Sequence, residues 1–473
     1  SDVCSSDLVN LQDVAHSSLR KVLVASQAAY GCVVVMEVAT GEIKAMVNLG
    51  RTEAGQYKEV YNYAVGSHGA TEPGSSFKLV SMLALLEETS LALTDSVDTG
   101  EGSYKFYDRT MYDVKRGGHG VITIQDAFEQ SSNIGIAKLI DSTFRDNPQK
   151  FIDYLDQLGL NKPLGFQLMG EGTPLIKSPQ DRTWSGVTLP WMSMGYELKL
   201  TPLQILTVYN AVANQGKMVQ PILVKKIKQA NRVIKEFKSP VLHKRICTAK
   251  TLAKLQTMLV GVVARGTARK FRHGFYKIAG KSGTANKVVR GRYSQATYTS
   301  FVGYFPAEAP RYSCIVVMDD PQGVGYHYGA QTAAPVIKEI ADKLSAKDLV
   351  STDYLTAVLA QKTGSFPVIK AGHQDDLHYL CRELNIAHAA AHTDEWIRAA
   401  VQDDSLVWRA NANFGEQQVP MVLGMTLRDA LFLLENRGLQ VTIAGEQGGR
   451  VQRQSLPPGA FIPPHKSITL ALH

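Results

Sequence analysis

The chain has 473 residues, 44% of them hydrophobic and 20% charged, a globular balance with length for roughly two to four domains. Its 51 basic and 43 acidic residues leave a net charge of +8, but the densest basic runs, RKFRH (269–273) and KVVRGR (287–292), lack the clustering with aromatics of a nucleic-acid-binding stripe, so no nucleic-acid partner is expected and an anionic substrate is the milder reading. The five cysteines are widely separated and form no C-x-x-C, which argues against a zinc site or a disulfide framework.

No stretch approaches the roughly 18 consecutive apolar residues of a membrane span, and no signal peptide opens the chain. The chain starts without Met, and SDVCSSDL (1–8) joins poorly to the pattern that begins at Val9; a missing true start is expected. VNLQDVAHSSLRKVLVAS (9–26) has helical spacing through Val14, Leu19, Val22 and Leu23. CVVVMEVATGEIKAMVNLG follows as two β-rich runs around Ala-Thr-Gly, a hairpin dense enough in apolar residues to be covered on both faces. Cys32 here, and Cys314 in CIVVMDD, are expected to be buried and inert.

A helix is predicted over 76–93, and an irregular segment with short strands over 98–121. Helices then follow at 124–139, 148–158 and 249–263. Between the last two, TPLQILTVYNAVANQG carries Thr201 at the N-cap, Pro202 at N1 and Gly216 as the stop. From Tyr276 the pattern turns to three strands, YKIAGKSGT, YTSFVGYFP and YSCIVVMDD, and then to an amphipathic helix ending near Lys347. This order describes an α/β or α+β domain whose sheet is built from both ends of the segment, with helices inserted between. Residues 348–365 read as a linker. Two related units of about fifty residues follow, a looser one at 366–415 and a better formed one at 416–473.

Three short stretches carry chemistry. In EPGSSFK, Ser75 and Lys78 are spaced i, i+3 and share a helical face. A serine hydroxyl needs a base to become a nucleophile, and a lysine serves only when burial and nearby positive charge favour its neutral form. In QSSN, Ser131 can relay a proton, and Asn133 can hold both a peptide carbonyl and an N–H. In GKSGT, Lys281 ends an apolar strand, Ser282 and Thr284 supply hydroxyls suited to a carboxylate, and Gly283 would let a substrate backbone come close. Each alone has a plainer structural reading: a capping serine with a surface lysine, an N-cap with a solvated Asn, a bend in an edge strand.

Together, S-x-x-K, S-x-N and K-[ST]-G in this order form a set that resembles penicillin-binding proteins and class A β-lactamases. The wider phrases EPGSSFKLV, QSSNIGIAK, GYELKLTPLQILTVYNAVANQGK and GKSGTA…FVGYFP resemble class B penicillin-binding proteins over roughly residues 9–345, and VPMVLGMTLRDALFLLENRGLQV resembles a PASTA repeat. Ser282 stands where Thr is commoner, and Ser132 where many β-lactamases carry Asp.

The resemblance implies an α/β (α+β) DD-transpeptidase or serine β-lactamase-like fold over 1–347, an antiparallel sheet flanked by helices. A degenerate PASTA-like module at 366–415 and a PASTA module at 416–473 follow. It implies a peptidoglycan transpeptidase in which Ser75 attacks a D-Ala-D-Ala carbonyl and Lys78 takes the proton, with Ser131 and Lys281 passing it on. The Ser75 and Thr284 backbone N–H groups would form the oxyanion hole. Asn133 would hold the substrate amide or the acyl group, Lys281, Ser282 and Thr284 would bind the terminal carboxylate, and Gly283 would admit the substrate backbone. No metal or organic cofactor is implied. Implied partners are stem peptides, β-lactams, a glycosyltransferase and division proteins, with a membrane anchor preceding this chain and catalysis outside the cytoplasm. A DD-carboxypeptidase or β-lactamase-type hydrolase, or a non-catalytic β-lactam sensor, is the alternative. The Glu that a β-lactamase needs for deacylation would have to be Glu197, read here as structural.

Overall fold

The computed structural model describes residues 2–5, 9–229, 232–272, 276–289, 292–323, 325–348, 371–384, 386, 388–389, 395–402, 405–410, 415–444 and 450–472. The chain divides into two units, Ser1–Lys347 and Asp348–His473. The linker expected at 348–365 falls outside the described residues apart from Asp348, which ends a helix.

A six-stranded antiparallel sheet organises the first unit. Its strands are β1 (Tyr30–Glu37), β2 (Ile43–Arg51), β3 (Tyr57–Lys58), β4 (Ala279–Val289), β5 (Arg292–Phe305) and β6 (Tyr312–Asp319). The order across it is β4-β5-β6-β1-β2-β3, so the two ends of the unit meet where β6 pairs with β1. Runs such as YGCVVVME and YSCIVVMD are buried almost throughout, as strands packed on both faces require. Cys32 and Cys314 sit in them as fully buried free thiols. Gly41, at φ +73°, makes the expected turn between β1 and β2.

Helices α1 (Val9–Ser26), α2 (Lys78–Glu88), α3 (Ile124–Glu129), α4 (Asn133–Phe144), α5 (Pro148–Gln157), α6 (Thr188–Met192), α7 (Pro202–Ala213), α8 (Ala249–Ala264) and α9 (Gly329–Asp348) surround it. α7 begins with the full capping box of Thr201 and Gln204 behind Pro202, and every one of its residues is buried. Its Tyr209 O–H donates to Ser76 O at 2.8 Å, which ties this helix to the Ser75 turn.

Two expectations change. The single helix predicted over 124–139 is two helices, broken at Ser131, whose φ of +59° no α-helix tolerates. Hydrophobic spacing runs straight through the break; the caps decide it, with Thr123 starting α3 and Ser132 starting α4. Lys281 does not end its strand either. β4 continues to Val289 because its pairing with β5 runs from Ala279↔Tyr304 to Val289↔Arg292.

In the second unit the two small modules are wired differently. In the first, the helix α10 (Gln374–Glu383) lies between strands of an antiparallel meander, Ala371–His373, Trp396–Gln402 and Ser405–Ala410. In the second, α11 (Leu427–Glu435) precedes three strands, and Gln440–Ala444 pairs in parallel with Ser467–Leu472. Val419, Val422, Met425, Ala430, Leu434 and Leu470 form the core of the latter.

Candidate active site

Ser75 lies in a tight 3-10 turn, Gly74–Phe77, that feeds directly into α2 at Lys78. Gly74 adopts φ +59°, and a Cβ there would stand 2.6 Å from Thr284 O. Glycine thus lets the Ser75 turn lie against β4. Ser75 is half-exposed, whereas Lys78 is wholly buried. The Lys78 Nζ donates to Ser131 O at 2.8 Å, to Asn133 Oδ1 at 2.8 Å and to Ser131 Oγ at 3.2 Å. Burial pushes its pKa down to about 7, and the nearby Asp113 carboxylate only partly opposes this.

The second segment is held by a residue that the sequence did not flag. Asp113 Oδ1 accepts from the backbone N–H of Asn133 at 2.5 Å and of Ile134 at 3.1 Å, and Asp113 Oδ2 accepts from the Ser132 hydroxyl at 2.7 Å. Its carboxylate therefore sits on the N-terminus of α4, where free N–H groups and the helix dipole favour an anion. Asn133 Nδ2 donates to Tyr112 O at 2.9 Å, which turns its carbonyl oxygen toward Lys78. Asp113 lies 19 residues before Ser132 in an aperiodic loop, so no local pattern announces it.

The third segment is the edge strand. Lys281 is fully buried, and its Nζ donates to Ser131 Oγ at 2.8 Å and to Ser282 O at 3.2 Å. Burial drives its pKa well below the ordinary lysine value, and the Lys78 charge adds to the effect. Two buried amines thus meet on one hydroxyl oxygen. On the half-exposed face of β4, Ser282 Oγ is 3.2 Å from Thr267 Oγ1, and Thr284 Oγ1 accepts from Gly329 N at 3.3 Å. As the acceptor in that bond, the Thr284 hydroxyl keeps its own proton for another partner. Gly283 has a use other than the expected one. A Cβ there would lie 2.3 Å from Ser300 Oγ and 3.0 Å from Pro73 O, so the space is taken by Ser300 of β5 and by the Pro73 carbonyl that leads into the Ser75 turn.

The residues of the three motifs thus share one neighbourhood. The Glu197 carboxylate is paired with Lys177, and its backbone N–H donates to Glu72 Oε1 at 2.9 Å. Among the described residues no group of three or more His, Cys, Asp or Glu side chains is arranged to hold a metal ion. A serine in the turn that leads into a buried lysine of lowered pKa, a hydroxyl bridging two amines, and paired hydroxyls on an edge strand suit acyl transfer.

Residues 31–342 match the penicillin binding protein transpeptidase domain, and residues 417–472 match the PASTA domain. Stage V sporulation protein D of Bacillus subtilis is 30% identical over 321 residues, which cover 65% of this chain and 48% of that protein. Peptidoglycan D,D-transpeptidase FtsI of Escherichia coli is 28% identical over 351 residues, 73% of this chain and 56% of that one. The chain thus spans about half the length of these relatives. Penicillin binding protein 3 of Mycobacterium tuberculosis, solved in complex with aztreonam, superposes with a TM-score of 0.64 at 27% identity, over 74% of this chain and 79% of that one.

Proposed function

Because the chain belongs to the penicillin-binding-protein transpeptidase family, we propose that it cross-links peptidoglycan stem peptides through a Ser75 acyl-enzyme and that β-lactams acylate the same serine. The observation that carries this reading is the meeting of the buried Lys78 and Lys281 amines on Ser131 Oγ, at 3.2 and 2.8 Å. Lys78, with its pKa near 7, holds a substantial neutral fraction at physiological pH and takes the proton as Ser75 Oγ bonds to the penultimate D-Ala carbonyl carbon. The oxyanion is met by the N–H groups of Ser75 and Thr284, worth about 3–4 kcal/mol per donor in such sites. As the C–N bond breaks, the proton passes through Ser131, with Lys281 beside it, to the departing D-Ala nitrogen. An amine of a neighbouring stem peptide then attacks the acyl-enzyme, loses a proton along the same route, and frees Ser75.

Asn133 would hold the donor peptide, while Ser282 and Thr284, with Gly283 between them, line its carboxylate end. The reaction takes place outside the cytoplasm at the membrane, in wall synthesis for division, with a glycosyltransferase and division proteins supplying and placing the glycan strands. The module at 366–415 is a diverged PASTA-like unit. Incubation with benzylpenicillin and mass spectrometry should find one covalent adduct, mapped to Ser75 and absent from Ser75→Ala. A donor stem peptide and an amine acceptor should then give a cross-linked product. An adduct on another residue, or rapid hydrolytic turnover without cross-linking, would overturn the proposal.

A further inference from the structure

We propose that Glu129 and Arg265 are positioning residues of this active site: their ion pair holds the Ser131 hydroxyl within reach of the Lys281 amine. This rests on the transpeptidase reading and extends it to two residues outside the three motifs. Lys281 Nζ donates to Ser131 Oγ at 2.8 Å, yet Lys281 stands on β4 and Ser131 at the break between α3 and α4, 150 residues apart in the chain. Ser131 has φ +59°, a conformation that a serine keeps only where its surroundings impose it. Downstream of it, the Asp113 carboxylate holds the Ser132 hydroxyl and the N–H groups of Asn133 and Ile134. Upstream, the counterpart is a second carboxylate, that of Glu129, the last residue of α3.

The Glu129 side chain, 1% exposed, accepts from Arg265 Nε at 3.1 Å and Nη2 at 2.5 Å, and from Gln125 Nε2 at 2.8 Å. The two guanidinium bonds form a fork, which fixes direction as well as distance. Two glycines admit it: a Cβ at Gly261 would fall 1.7 Å from Glu129 Oε1, and one at Gly266 would fall 2.3 Å from Glu129 O. The end of α8 is thereby fastened to the end of α3, two residues before Ser131. On its other side α8 packs against β4, the strand that carries Lys281. The helix is therefore a frame shared by the hydroxyl and the amine. The end of α3 passes its position on: Ser131 N–H donates to Phe128 O at 3.1 Å and Ser132 N–H to Ala127 O at 2.8 Å, and the Phe128 ring centre lies 5.8 Å from Lys281 Nζ. Neither member of the pair has to touch substrate; the pair sets the separation across which Ser131 hands on its proton.

Second-order acylation rates of the full chain with benzylpenicillin test this, measured well below each variant's melting temperature and counted per chain that finally carries the adduct. Arg265→Ala should slow acylation about tenfold, because a misplacement of about 1 Å set up far from the chemistry can cost about a hundredfold. Arg265→Lys should recover part of the rate. Glu129→Gln keeps the shape and leaves no buried charge unpaired; it should also slow the reaction, and it serves if Arg265→Ala does not fold. The changes are then repeated on Ser131→Gly, which lacks the hydroxyl to be positioned and takes φ +59° without strain; its slower acylation is followed at raised drug concentration. There each change should alter the rate by less than about twofold, since two residues that act through one group do not add. The same fold-loss in both backgrounds would make the pair a general support of the fold, and undiminished rates in the chain with Ser131 would remove it from the reaction; both outcomes overturn the proposal. Failure of the wild-type chain to acylate at all would instead refute the transpeptidase reading.

Discussion

Asp113 is the most informative residue to perturb, because it lies outside the motifs yet holds two of their members. Replacing it by Ala strands the N–H groups of Asn133 and Ile134 and the Ser132 hydroxyl, which its carboxylate now accepts at 2.5, 3.1 and 2.7 Å. Hydrogen bonds to a charged group are worth about 1.5–3 kcal/mol each, and an unsatisfied buried donor costs about 1–3 kcal/mol. These terms do not add fully, so a net loss of about 3 kcal/mol is expected. The same change loosens the turn that carries Ser131 O, Ser131 Oγ and Asn133 Oδ1, the three acceptors of Lys78. Benzylpenicillin acylation should therefore fall by at least about tenfold, and the catalytic unit should melt earlier. Asp113→Asn gives a finer reading: it keeps a carbonyl acceptor but removes the charge that holds the Lys78 pKa up. The inflection of its acylation rate against pH should move below the wild-type value, since loss of a nearby anion disfavours the ammonium form. An Asp113→Ala chain that melts and acylates like wild type, or an Asp113→Asn profile displaced to higher pH, would refute this account of the site.

The wild-type profile has its own signature. If Lys78 is the base, only its neutral form works, so acylation should rise with pH, by about tenfold per unit well below 7, and level off above its pKa of about 7; an inflection near the ordinary lysine value would exclude it. Arg265→Ala removes both guanidinium bonds from Glu129, which is 1% exposed. Leaving a buried carboxylate unpaired costs about 3–5 kcal/mol, readable as a lowered melting temperature, and Arg265→Lys should recover only part of it because the planar fork is lost. A melting temperature unchanged in Arg265→Ala would count against the fastening of α8 to α3.

Much of this molecule is written locally. The Ser75–Lys78 pair, the Ser131–Asn133 turn and the Lys281–Thr284 strand are each contiguous, so spacing alone exposes them, and β1 and β6 declare themselves by unbroken apolar runs. What escaped is what depends on distant partners or on a backbone angle. The break between α3 and α4 rests on one left-handed serine amid uninterrupted hydrophobic spacing. Asp113 meets Ser132 across 19 residues, and Glu129 meets Arg265 across 136, with no periodic signal on either side. Gly283 was legible as a close approach, but whether substrate or protein fills the room depends on where Pro73 and Ser300 come to rest.

Ser131 leaves evolution little freedom. At φ +59° a glycine would rest more comfortably there, because a left-handed non-glycine backbone costs about 1–3 kcal/mol. Selection for heat tolerance alone would drift toward that glycine and erase the oxygen on which both amines converge. Backbone ease and the convergence of two amines on one hydroxyl thus pull this one position in opposite directions.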